Sequence, residues 1–290
     1  MKSFFALLLS SLLLLSMLTA CNRNPEDPSD ETASSDKSES DSDSTLVFGD
    51  FEYIKIENSK NNELAISGYR GTDKHVTLPA QIQGNPVVAL NYSAFAFSDI
   101  ESISMPDSIV FIASGAFYHC QSLIAIEFSD NIVTIGSEAF AACTALKSVQ
   151  LPKQLQILRE AAFRDCTALE RVWIPKTLQS FGLSVFTSDA ALSEIIFEEG
   201  CTSVGFYSLF GGCTALKSIT IPASVKTLPQ GAFWGATNLT EVRFLGDAPM
   251  KIEKEPFLLN EDLKIYYDPS TSGWDTTSLR ENYTLIPNEK

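Results

Sequence analysis

Cysteine is the residue type whose placement most invites chemistry in this chain. Six occur, and Cys120, Cys143 and Cys166 fall 23 residues apart, with Cys201 and Cys213 further on. His119 directly precedes Cys120, and an imidazole beside a thiol can generate a nucleophilic thiolate. Aligned on the cysteine spacing, however, the His119 slot holds Ala142, Asp165, Ser188, Gly212 and Gly235. A slot that tolerates such changes reads as a solvated turn. The cysteine slot itself takes Asp189 and Ala236 elsewhere, which describes a compact buried position filled by free thiols. Zinc would call for Cys-x-x-Cys pairs rather than single cysteines far apart. His75, the only other histidine, lies in the N-terminal β region. Glu198 and Glu199 read as solvated loop charges, and Gly211-Gly212 as turn residues rather than a phosphate loop. No catalytic constellation, metal site or cofactor is expected.

Cys21 invites a different chemistry. Met1-Lys2 gives a positive start, and Phe4 to Leu18 is apolar apart from serines. A membrane span needs about 20 such residues, so this run has the length of a signal h-region. It ends in Leu18-Thr19-Ala20-Cys21, which resembles the bacterial lipobox, where the cysteine thiol is alkylated by a diacylglycerol. Residues 22–45 then hold eight acidic and two basic side chains, many serines and no large apolar group. Such a segment cannot offset its ordering entropy and is expected to be a disordered tether. Between residues 46 and 290 there are 28 acidic and 18 basic residues, a net of −10. An acidic chain without a basic stripe argues against nucleic-acid binding.

The 23-residue interval of the cysteines governs most of the chain. Leading residues fall at Ile100, Leu123, Leu146, Leu169, Leu192, Leu216, Leu239 and Leu263, and phenylalanines at 95, 117, 140, 163, 186, 210, 233 and 257. Self-similarity of this kind means a solenoid with one coil per repeat. In one copy Leu146, Val149 and Leu151 point inward from a short strand while Ser148 and Gln150 point outward. Pro152 ends the strand. Leu155 and Leu158 supply a return edge, and a helical turn over Arg159–Cys166 puts Phe163 and Cys166 on one inward face. The expected fold is therefore mostly β, a parallel sheet on one side and short helical turns on the other, with about seven or eight coils stacked at about 4.8 Å. The phenylalanines should stack as an internal column. The fifth copy, one residue longer at Cys201–Phe210, and the seventh, with Ala248-Pro249-Met250 and Pro256, are expected to be irregular.

The Leu-x-x-Ile-x-Ile-Pro strand, the segment Ile135-Gly-Ser-Glu-Ala-Phe140 and the Phe-x-x-Cys-x-x-Leu turn resemble the BspA-type leucine-rich repeat family. The entry at Ile66–Gly71, Val76–Pro79 and Gly84–Val88 resembles that family's approach to its first coil. The resemblance implies a bacterial surface protein that adheres to host matrix proteins or to other microbes. The expected organisation is a lipoprotein signal peptide at 1–20, the tether at 21–45, an N-terminal β cap and first coil at 46–99, the repeats at 100–262, and a C-terminal cap at 263–290 with Trp274 folded over the last strand.

On the outward face of the sheet, one row of positions reads Ser104, Glu127, Gln150, Trp173, Ile196, Thr220 and Arg243, and the neighbouring row reads Ser102, Ala125, Ser148, Arg171, Glu194, Ser218 and Glu241. Trp173 and Ile196 stand out, adjacent in the stack and flanked by Arg171 and Glu194, with Arg243 on the rim. Trp and Arg dominate binding hot spots. Two functions fit: a monomeric, lipid-anchored surface protein that binds a protein partner through this face, or an envelope protein that binds glycans by stacking on Trp173. A lone exposed tryptophan with few amide neighbours favours the first.

Overall fold

A computed structural model describes residues 45–205, 208–257 and 262–288. The expected signal peptide, Cys21 and the tether up to residue 44 lie outside the described residues. The rest is a β-solenoid of about nine turns, slightly more than the repeat alone indicated, because strands at both ends join the stack.

Each coil has three sides. The leading side is the short strand predicted from the leucine spacing: Ser148–Gln150 pairs in parallel with Arg171–Ile174, and that strand with Glu194–Phe197. Leu146, Val149 and Leu151 are buried and Ser148 and Gln150 exposed, so the inward register is as read. The return side is a second parallel ladder, Phe111–Ile112, Thr134–Ile135, Ile157–Leu158 and Ser180–Phe181. The third side carries the phenylalanines. From Phe95 to Phe257 they form one continuous column, with ring centroids 4.9 to 5.8 Å apart and interplanar angles of 6° to 15°.

The phenylalanine side is built from turns; the only helix among the described residues is the 3-10 turn Ser278–Glu281. The reason is visible in the backbone. Residues two before each phenylalanine (Glu138, Ala161, Ser184) and two after it (Ala142, Asp165, Ser188) have positive φ. Left-handed residues at that spacing interrupt any right-handed helix. Hydrogen bonds run between coils instead, as from the Phe163 N–H to the Val185 carbonyl at 2.9 Å and from the Asp165 N–H to the Thr187 carbonyl at 3.0 Å. Phe163 and Cys166 are both fully buried, as the helical-turn reading required, but by a different backbone route.

Two seams cross the stack. Ala125–Glu127 does not pair with Ser148–Gln150, although the return strands Thr134–Ile135 and Ile157–Leu158 of the same two coils do pair. Glu194–Phe197 does not pair with Ser218–Ile221, and here the return ladder stops as well, resuming only at Thr227–Leu228. Phe128, just after its strand, and Phe197, at the end of its strand, are half-buried at these seams, where Leu151, Ile174 and Ile221 are buried. Both phenylalanines also lack the proline that follows those aliphatic residues. The second seam coincides with the longer fifth copy, whose irregularity was expected. The seventh copy is more regular than expected, since Lys251–Ile252 pairs with Thr227–Leu228.

Both ends of the core are covered. At the N-terminus, Leu46–Phe48, Phe51–Lys55 and Leu64–Tyr69 form antiparallel pairs, and the last pairs in parallel with Asn85–Leu90, which leads into the return ladder. At the C-terminus, Lys264–Tyr267 pairs with Thr284–Pro287. Trp274 is buried against Tyr267 at 4.8 Å and Phe244 at 5.2 Å, and Tyr283 meets the last ring of the column, Phe257, at 5.6 Å.

Candidate interaction surface

Parallel pairing without a register shift makes residues one repeat apart into neighbours. Arg171 is the partner of Glu194, and Trp173 of Ile196, with Gln150 on the other side of Trp173. Both Trp173 and Ile196 are half-buried, and neither belongs to the core. Alternation explains this, because Val172, Ile174 and Ile195 between them face inward and are buried.

Arg171 joins the two rows. Its guanidinium carbon lies 5.5 Å from the centre of the Trp173 ring, and its Nε donates to the Glu194 carboxylate. The side chains of Arg171 and Glu194 remain 48% and 47% exposed, so the pair is solvent-screened and stabilises the fold little. Its effect is to hold a cation over one face of the indole. The result is a small fixed cluster: an aromatic ring, an aliphatic branch and an ion pair in one plane of the sheet.

Arg243 is placed elsewhere. It stands beyond the second seam with the Thr220 coil between it and Ile196, 5.1 Å from the Tyr266 ring, and donates to Asn288 Oδ1 at 2.8 Å. It pairs in register with Tyr266, whose next neighbour is Ile286. Both are half-buried. They continue the row that holds Trp173 and Ile196, so the outward apolar residues form two groups rather than one. Extending the outward register into Lys264–Tyr267 would have found Tyr266. Ile286 gave no such signal, because its strand lies outside the repeat.

The cysteines form a ladder of their own inside the turns. Cys120, Cys143, Cys166 and Cys213 each direct Sγ at the carbonyl of the preceding coil's phenylalanine, at 3.0, 3.3, 3.2 and 3.1 Å. All are free and buried, and Cys201 is too. Burial raises their pKa values, that of Cys201 to about 11. Inert thiols result, opposite in character to the activated thiolate a Cys–His pair would need. His119 is instead packed against aromatic neighbours.

A profile of the BspA-type leucine-rich repeat region matches six copies over residues 88–210 and 188–271. The chain belongs to the BspA-type leucine-rich repeat family. Among solved structures it is similar to a leucine-rich cell surface protein from Faecalibacterium prausnitzii A2-165, with 21% identity, a TM-score of 0.53, and coverage of 78% of this chain and 76% of that one. A leucine-rich repeat protein from Bacteroides ovatus ATCC 8483 matches at 22% identity and a TM-score of 0.54, covering 77% and 70%. The leucine-rich repeat protein of T. pallidum matches at 26% identity and a TM-score of 0.54, covering 76% and 91%. No curated protein matches in sequence. Membership of the BspA-type family suggests an extracellular or surface protein of bacteria that serves as a protein-interaction module, since leucine-rich repeat proteins are typically non-enzymatic binders.

Proposed function

We propose that this protein is a non-enzymatic surface lipoprotein that adheres to a protein partner through the outward face of its leading strands, with Trp173 and Ile196 at the centre and Arg171 and Glu194 beside them. Arg243 contributes from the second group with Tyr266. The partner class is a host matrix protein or a surface protein of another microbe. The observation that carries the reading is the direct register pairing of Trp173 with Ile196, flanked on the same face by the polar Gln150 and Thr220. Preorganisation by Arg171 supports it, because a ring already held in place loses little entropy on binding.

Covering Trp173 with a partner would contribute on the order of 2 kcal/mol, or more than one power of ten in affinity. The double substitution Trp173→Ala/Ile196→Ser should therefore weaken adhesion of protein-coated beads to a matrix-protein panel at least tenfold, with the melting transition unchanged. Equal adhesion by the variant would move the interface off this face.

Anchoring is the second part of the proposal. Cys21 is the lipid acceptor, and acyl chains contribute about 0.8 kcal/mol per buried CH₂. A fatty-acid probe fed to producing cells should label the wild type and miss Cys21→Ser. Label on the variant, or none on the wild type, would remove the lipobox reading.

A further inference from the structure

The turn side of the first coils carries a feature that the sheet face does not explain. Phe97 sits two residues after Phe95 at the left-handed corner, with a φ of +61°, and is 71% exposed. Later coils fill this corner with Ala142, Asp165, Ser188, Gly212 and Gly235, all at positive φ. A bulky aromatic residue is poorly suited to that backbone, and its exposure contributes nothing to the core. Yet its ring is held. It stacks on His119 at 5.4 Å and 22°, and meets Tyr118 edge-on at 5.5 Å and 84°. Tyr118 and His119 themselves lie 4.4 Å apart. The Phe97 N–H donates to the Tyr118 carbonyl at 2.8 Å, which fixes the corner. Two residues on, Asp99 and Gln121 are exposed and occupy equivalent places in the same two coils.

We propose that this three-ring wall is a carbohydrate-binding site, in which Phe97 stacks on the apolar face of a pyranose while Asp99 and Gln121 bind its hydroxyls. The ring face carries partial negative charge and attracts the positive C–H groups on one side of a sugar. A carboxylate accepts from hydroxyls, and an amide both donates and accepts. The polar flank favours a sugar as occupant: Asp99 and Gln121 supply a carboxylate and an amide in the same two coils as the rings, the groups that pair with hydroxyls, and the rings end where Ala142 and Asp165 take over.

The test is isothermal titration of the full chain in detergent with cellohexaose, xylohexaose, chitohexaose and mannohexaose. At least one should bind the wild type. Phe97→Gly should lower that affinity about tenfold or more, the loss expected for one stacked ring. Glycine occupies the same corner at Gly212 and Gly235, so the variant's melting temperature should equal or exceed that of the wild type. Trp173→Ala/Ile196→Ser should bind the sugar normally, which separates this site from the sheet face. The proposal is overturned if none of the four oligosaccharides binds, if Phe97→Gly retains affinity, or if Phe97→Gly melts lower and thereby shows the ring to be a structural prop. Loss of sugar binding in the Trp173 variant alone would place a glycan site on the sheet.

Discussion

Replacing Phe163 with alanine should destabilise the protein by about 3–5 kcal/mol. Phe163 is fully buried in the middle of the ring column, 5.1 Å from Phe140 and 5.7 Å from Phe186. Truncation removes its own transfer free energy and also leaves Phe140 and Phe186 facing a void. Collapse of that void is resisted, because the inter-coil hydrogen bonds on either side of Phe163 fix the spacing of the turns. Ser148→Ala, on the exposed face of a neighbouring strand, should stay within about 0.5 kcal/mol. Urea unfolding of the two variants measures both quantities. Similar small losses for the two would mean that the column does not carry the stack.

Substituting Asp189 with asparagine should make the protein more stable at neutral pH, by about 1–3 kcal/mol. Asp189 occupies the cysteine slot of its coil and is fully buried. Its Oδ1 accepts from the Cys166 N–H at 2.8 Å, but its Oδ2 has no hydrogen-bond partner. In four other coils a thiol donates at this place to the preceding phenylalanine's carbonyl, and the same register assigns the Phe163 carbonyl to Asp189. Burial pushes the Asp189 carboxyl well above the usual carboxylate range, partly offset by the Cys166 N–H and reinforced by the charge of Asp165. A carboxyl with a raised folded-state pKa is protonated in the native protein where the unfolded chain has already lost the proton. Stability therefore falls as pH rises from the ordinary carboxylate value, about 3.9, to the raised one, and the loss is complete above it. An asparagine offers the acceptor that Cys166 needs and an N–H for the Phe163 carbonyl, with no proton to lose. The stability difference between variant and wild type should thus be small below about pH 4 and grow with pH. A difference independent of pH, or one that grows toward acid, would show that Asp189 is held ionised.

Much of this architecture is legible in the sequence because the repeat enforces itself. The alternation of Leu146, Val149 and Leu151 fixes which strand face is inward, and the 23-residue step then makes Trp173 and Ile196 neighbours. The corners are less legible. Glu138, Ala161 and Ser184 have little intrinsic preference for a left-handed backbone. They adopt it because the coils exchange hydrogen bonds there, as between the Ala161 N–H and the Leu183 carbonyl. That long-range cause is why turns stand where the local spacing of Phe163 and Cys166 predicts a helical turn. Side-chain arrangement across coils is hidden for a similar reason. Nothing in the spacing of Arg171 tells whether it covers Trp173, reaches Glu194, or does both. Asp189 in a cysteine slot was visible as a compact residue, but its unpaired oxygen depends on the carbonyl geometry of a neighbouring coil.

The second seam, between Glu194–Phe197 and Ser218–Ile221, bears on how the molecule loses its structure. A stack of this kind is coupled only through nearest neighbours, so cooperativity extends no further than the weakest junction allows. At this junction both strand ladders lapse, while the Phe210–Phe233 contact at 5.8 Å and turn bonds such as Ser208 N–H to the Gly231 carbonyl persist. Trp173 lies on one side of it, and Trp234 and Trp274 on the other. The chain should thus unfold as two blocks in series, with the C-terminal block fraying while the block that displays Trp173 stays intact.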